Sequence, residues 1–189
     1  MALIPTGWQT VGPYLHIGLT WLNTTKLAGE ATKGERIAVE GRLFDGDGAP
    51  VPDGMIEIWQ ANADGRYNHP DDTQAKPREA AFFGFGRVDT DKQGGFRFET
   101  VKPGRVPGPG NTLQAPHILV SVFLRGQLRR LVTRLYFADE ASNGDDPILA
   151  LVEDPARRRT LLAVRDPGSA TYRFDIRLQG EAETVFFEV

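Results

Sequence analysis

The side chains best able to do chemistry in this sequence are three histidines, His16, His69 and His117, and four tyrosines. No two histidines stand at H-x-H or H-x-x-x-H spacing, the patterns that put two imidazoles on one face of a strand or a helix. Cysteine is absent, which excludes disulfides, thiolate metal sites and cysteine nucleophiles. Asp and Glu are scattered, with no pair placed for acid–base work. G-x-S-x-G, G-x-G-x-x-G and Walker-type loops are all missing. Gly84-Phe-Gly86 reads as a strand glycine pair that admits close packing.

His117 opens an apolar run after a proline-rich loop, and its plain reading is a structural histidine bonded to loop backbone. His69 follows Tyr67 in a polar loop and reads as solvated. Arg130 and Arg134 share one face of a strand by alternation, which suggests a solvated or interface surface. Arg125-Gly126 falls at a strand-end turn, where a guanidinium could meet a carboxylate.

Short strands must position these groups. Gly 21 and Pro 13, with 10% aromatics, favour strands joined by tight turns. The segments 36–44, 55–59, 84–88, 95–100, 117–124, 130–137, 172–178 and 184–189 read as strands, with 84–88 and 95–100 forming a hairpin. The continuous apolar run 117–124 reads as a central strand buried on both faces. Residues 103–116 form a long loop. Asp146-Pro147 and Asp154-Pro155 each cap and open a short helix. The expectation is an all-β fold: an antiparallel β-sandwich with an N-terminal arm and one or two short helices. Residues 1–30 would be the arm, with an active-site loop, and 31–189 the sandwich. A charge of −3 and a pI near 5.7 suggest neither nucleic acid nor an anionic membrane as partner. No stretch approaches the roughly 20 apolar residues of a membrane span, and no secretory signal is evident, so a cytoplasmic location is expected.

Several stretches resemble the intradiol ring-cleaving dioxygenases. Thr10-Val-Gly-Pro-Tyr14 resembles that family's early T-x-G-P-Y/F element. Residues 37–53 resemble its G-x-V-x-D-x-x-G-x-P-V strand and turn. Ile56-Glu-Ile-Trp-Gln-Ala-Asn-Ala-Asp-Gly-Arg-Tyr67 is similar to its most specific segment, and Phe85-Gly-Arg87, Val101-Lys-Pro-Gly104 and Ala115-Pro-His-Ile118 match later elements in order.

The resemblance implies a ferric site of two tyrosinates and two histidines, and its positions fall here on Tyr67, Val106, His117 and Leu119. A helper arginine's position is Gln114. Val106 and Leu119 cannot ligate, so the resemblance points to a chain with no metal site and no catalytic residue of its own, in which Tyr67 and His117 are remnants in a filled pocket. Such alpha-type chains pair with a homologous, iron-bearing beta chain in larger oligomers. The Fe(III) cofactor would then be held by the beta chain, with O2-dependent cleavage of 3,4-dihydroxybenzoate to 3-carboxy-cis,cis-muconate. Residues 128–140 and 172–187 are similar to alpha-type sequence. Such chains lend substrate-binding residues to the partner's site, at positions matching Thr10, Gly12, Pro13, Tyr14 and Arg125. A non-catalytic binding or assembly module of the same descent is the competing expectation.

Overall fold

The structure is a computed structural model, and it describes residues 15–188. Among the described residues eleven strands carry the fold: β1 (Arg36–Phe44), β2 (Met55–Trp59), β3 (Phe85–Asp89), β4 (Gly95–Val101), β5 (Val106–Pro107), β6 (Leu113–Gln114), β7 (His117–Phe123), β8 (Leu131–Phe137), β9 (Leu162–Arg165), β10 (Thr171–Arg173) and β11 (Ile176–Arg177). Among the described residues one α-helix, α1, covers Pro155–Arg159. No helix among the described residues is long and apolar enough to cross a membrane.

The main sheet runs β11-β1-β10-β9-β8-β7-β2-β3, with β4 on the free side of β1. It curls into two facing layers. Ile37, Val39, Leu43, Phe96 and Phe98 of β1 and β4 pack against Ile56, Ile58, Ile118, Val120, Val122, Leu135 and Phe137 of the other layer. β9 turns the corner, pairing with β8 on one side and β10 on the other. Fully burying one such aliphatic or aromatic side chain is worth about 1.5–3 kcal/mol. The all-β reading therefore holds, but the sheet is mixed. β1 pairs in parallel with β10 and β11, and β8 with β9. Parallel neighbours need long connections, and the one between β8 and β9 is residues 138–161, which hold α1 and two 3-10 turns.

The two segments expected as a hairpin are not neighbours in a ladder. β3 pairs with β2, and β4 with β1, so the turn between them crosses from one layer to the other. Asp91 shapes it by accepting hydrogen bonds from the Gln93 and Gly95 amides. Gly94 takes φ +72°, and a Cβ there would lie 2.5 Å from the Leu43 carbonyl oxygen. Segment 172–178 is also interrupted, because the Asp175 carboxylate captures the Arg42 amide between β10 and β11. Segment 184–189, expected as a closing strand, contributes one bridge among its described residues, Phe187 to Val132. The 103–116 loop contains the small β5–β6 ladder.

The helical expectations held in kind. Asp154 caps α1, accepting from the Ala156 amide at 2.7 Å. Asp146 accepts from the Ile148 and Leu149 amides, but the segment it opens is a 3-10 turn at Leu149–Leu151.

Candidate functional site

The loop from Trp59 to Tyr67 is built to present its last residue. Fully buried Gln60 anchors its start: its amide donates to the Val101 carbonyl, and its oxygen accepts from the Thr100 hydroxyl, both at 2.9 Å. Asn62, also buried, closes the turn by accepting from the Asp64 and Arg66 amides at 3.1 and 2.9 Å. Gly65 has φ +77°, and a Cβ there would stand 2.0 Å from the Arg105 carbonyl oxygen, so only glycine lets the two loops meet. Tyr67 then stacks on Trp59, centroids 5.7 Å apart and planes 11° from parallel, with His69 edge-on at 6.4 Å from Trp59. The Tyr67 amide donates to Asp72 at 2.8 Å. Burial raises the Tyr67 phenol above its ordinary range; the Arg134 charge works against that rise and Asp72 adds to it.

Antiparallel pairing sets the rest. Directly paired residues share a face, so Phe85, Trp59, Leu119 and Arg134 form one cross-strand row outside the core, and His117 and Tyr136 form the next. Val106 of β5 pairs with Gln114 of β6 at the edge of this face. The four expected ligand positions are thus brought to one face of the sheet. Beside them lies a cavity of about 730 Å³ lined by Trp59, Tyr67, His69, Val106, Pro107 and Gln114. The pocket expected to be filled is closed on the His117 side and open on the Tyr67 side.

The closed side is a hydrogen-bonded chain. Arg134 Nη1 donates to the Gln114 side-chain oxygen at 2.6 Å and lies 3.4 Å from the Tyr136 hydroxyl. That hydroxyl donates to Asp146 at 3.1 Å. Asp146, 1% exposed, also accepts from the Ala115, Ile148 and Leu149 amides at 2.6, 2.9 and 2.6 Å. His117 Nδ1 bonds the Ala115 carbonyl at 2.8 Å, which makes Nδ1 the protonated nitrogen of a neutral ring. Burial, joined by the Arg134 charge, pushes His117 down to about 4. The reading of His117 as a structural histidine bonded to loop backbone is what the structure shows. His69 is exposed, as expected.

This donor set does not suit a ferric ion. A hard trivalent cation needs several anionic or imidazole donors. Here one phenol and one imidazole remain, beside two aliphatic side chains and a guanidinium. Among the described residues no three His, Cys, Asp or Glu side chains gather. Proton transfer is equally poorly served, since Asp146 is already given four donors and burial makes His117 a weak base.

Arg134 was expected on a solvated or interface face together with Arg130. Arg130 is exposed, but Arg134 is half-buried within the site. Its role follows from lying opposite Leu119 in the β7–β8 register, which strand pairing sets and alternation alone does not. Tyr136 was missed for the same reason; Asp146 was legible as a cap, but its bond to Tyr136 was not.

Arg125 sits in the turn beyond β7, at the opposite end of that strand from His117. It is 73% exposed and ion-paired with Asp53, Nε to Oδ2 at 2.8 Å, without hydrogen-bond geometry. The structure therefore does not bring Arg125 to the ligand-position face of its own chain. Thr10, Gly12, Pro13 and Tyr14 lie outside the described residues.

The dioxygenase family that matches this chain spans residues 14–180. The chain is 45% identical to the protocatechuate 3,4-dioxygenase alpha chain of Pseudomonas putida, over 98% of each chain. It is 40% identical to the beta chain from Burkholderia cepacia, over 80% of this chain and 67% of that one. Among solved structures, the dioxygenase domain of a carbohydrate-binding fusion protein from Streptomyces sp. SirexAA-E aligns with TM-score 0.63 and 30% identity, covering 84% of this chain and 88% of that one. With its fold, its motif loop and these likenesses together, the chain belongs to the intradiol dioxygenase family.

Proposed function

We propose that this chain is the alpha-type, iron-free subunit of a protocatechuate 3,4-dioxygenase. It works with a homologous beta chain that holds Fe(III) and cleaves 3,4-dihydroxybenzoate with O2 to 3-carboxy-cis,cis-muconate. The observation that carries this is the outer face of β7, where Tyr67 and His117 remain but Val106 and Leu119 offer no donor and Arg134 adds a positive charge. Near-full-length likeness to alpha chains supports the same reading, and likeness to a beta chain names the kind of partner.

In this reading residues 1–30 are an arm and 31–189 the sandwich, and the chain's contribution is to a site completed by the partner, in a cytoplasmic oligomer. Thr10, Gly12, Pro13 and Tyr14 would form a rigid wall of that site, since a Gly-Pro turn shapes a surface without flexible side chains. Arg125 would supply positive charge to the substrate carboxylate. Its exposure and its position at a turn, away from the chain's own ligand face, suit a group that serves a neighbour.

The test is to produce the chain alone and together with a beta chain, and to measure iron, visible tyrosinate-to-iron absorption and protocatechuate-dependent O2 uptake. Neither iron nor activity is expected alone, and both in the complex. Stoichiometric iron in the isolated chain would overturn the reading, and a complex indifferent to this chain would make it an assembly module. Arg125→Ala in the complex should lower kcat/KM roughly 10- to 100-fold, the worth of one charge-assisted hydrogen bond, with iron unchanged. Unaltered kinetics would remove Arg125 from the site.

A further inference from the structure

We propose that Arg134 actively bars metal cations from this face, so that restoring the two missing donors would not by itself restore a metal site. The inference rests on the reading above that the chain carries no iron of its own, and it names the residue that enforces that state.

Two absent ligands explain why the face binds metal weakly. They do not explain why a cation has been placed there. Arg134 is paired directly with Leu119, one of the two donorless positions, and therefore stands on the same side of the sheet. Its guanidinium is held by the Gln114 side-chain oxygen at 2.6 Å, and Gln114 is fixed in turn by donating to the Pro107 carbonyl at 2.8 Å. Pro107 directly follows Val106, the other donorless position. One hydrogen-bonded strut thus joins both lost positions through a fixed positive charge.

The surroundings do little to neutralise that charge. The groups Arg134 meets are an amide oxygen, a phenol hydroxyl and the Phe187 ring, 6.0 Å from the guanidinium carbon, none of them carrying a formal charge. The nearest carboxylate in the chain of bonds, Asp146, lies beyond Tyr136 and is taken up by three backbone amides and that hydroxyl. A guanidinium stays protonated at any accessible pH, and half-buried like charges are poorly screened. A metal ion brought to Tyr67 and His117 would face this charge at short range.

The decisive comparison uses the full chain in four forms: wild type, Val106→Tyr/Leu119→His, and that double variant with Arg134→Gln or Arg134→Lys. Iron content and tyrosinate-to-iron absorption are read after ferrous loading in air. The double variant and the Lys form are expected to stay nearly iron-free, and the Gln form to hold at least tenfold more. The Gln–Lys difference isolates charge from side-chain bulk. Full loading of the double variant, or equal loading of the Gln and Lys forms, overturns the inference. Iron in the wild type would instead overturn the iron-free reading, so the two failures are distinguishable. Should Val106→Tyr prevent folding, the same charge is tested in the otherwise unaltered chain. Zinc(II) affinity, measured by competition with a chromophoric chelator, should then be about tenfold higher in Arg134→Gln than in Arg134→Lys. Equal affinities overturn the inference as firmly.

Discussion

The two ends of β7 differ in kind. At the His117 end, polar side chains are buried and bonded: His117 to Ala115, Tyr136 to Asp146, Arg134 to Gln114. At the far end, Arg125 stands 73% exposed on an ion pair with Asp53. The first end is where the family's chemistry is expected, and here it has been converted to structure. The second is surface, and there a charge paired with Asp53 stays accessible to groups outside the chain. Groups that must react need access and an unmet bonding capacity. Groups that must stabilise need the opposite.

Substitutions can break that contrast, and the loop that presents Tyr67 beside the His117 end is the most sensitive place. Gly65→Val should cost about 4 kcal/mol or more. It puts a branched side chain at φ +77° with its Cβ 2.0 Å from the Arg105 carbonyl oxygen. Urea unfolding would read this as a lower midpoint, and a loss under about 1 kcal/mol would show that the two loops can separate.

Removing the carboxylate at the heart of the closed end comes next. Asp146→Ala strands the Ala115, Ile148 and Leu149 amides and the Tyr136 hydroxyl, at a cost of roughly 3 kcal/mol. Asp146→Asn keeps an acceptor and should recover part of that in the same unfolding experiment.

The closed end should also give stability a pH signature. His117 is held at about 4 in the folded chain against 6.5 ordinarily. Between those values the unfolded chain takes up a proton that the folded chain refuses, so stability falls as pH drops through that window and levels off below it. The total is roughly 3 kcal/mol. His117→Leu should remove this slope. A difference between the two proteins that stays constant from pH 7 to 4 would mean that His117 is not held neutral.

The smallest effect is expected at the exposed Arg125 end. Arg125→Ala should alter stability by less than about 0.5 kcal/mol, because exposed ion pairs contribute little. A larger thermal shift would place Arg125 in the structural class with the other end and weaken its proposed role.

Much of this was legible in the sequence. Period-2 alternation located β1 and a continuous apolar run located β7; β2 and β8 were also placed closely, and Asp154-Pro155 marked the start of α1. The motif ending in Tyr67 marked a loop whose Gln60, Asn62 and Gly65 prove to hold it in shape. The misplaced features are those that depend on pairing. β3 and β4 have hairpin-like spacing, yet they join different layers. Segment 184–189 alternates cleanly but makes one bridge, since alternation reports a half-buried surface and not a bonded neighbour.

The amino-acid sequence by itself determined the strand pattern, the family, and the replacement of two donors by Val106 and Leu119, because these are carried by residue type and local spacing. Only the tertiary structure decided what stands beside those positions. Register across the β7–β8 turn sets Arg134 opposite Leu119 and Tyr136 opposite His117. One residue of slip would turn both side chains to the other face, and no local signal in the sequence fixes that alignment. The loss of ligands is therefore written in the chain, while the charge beside them comes from how the strands pair.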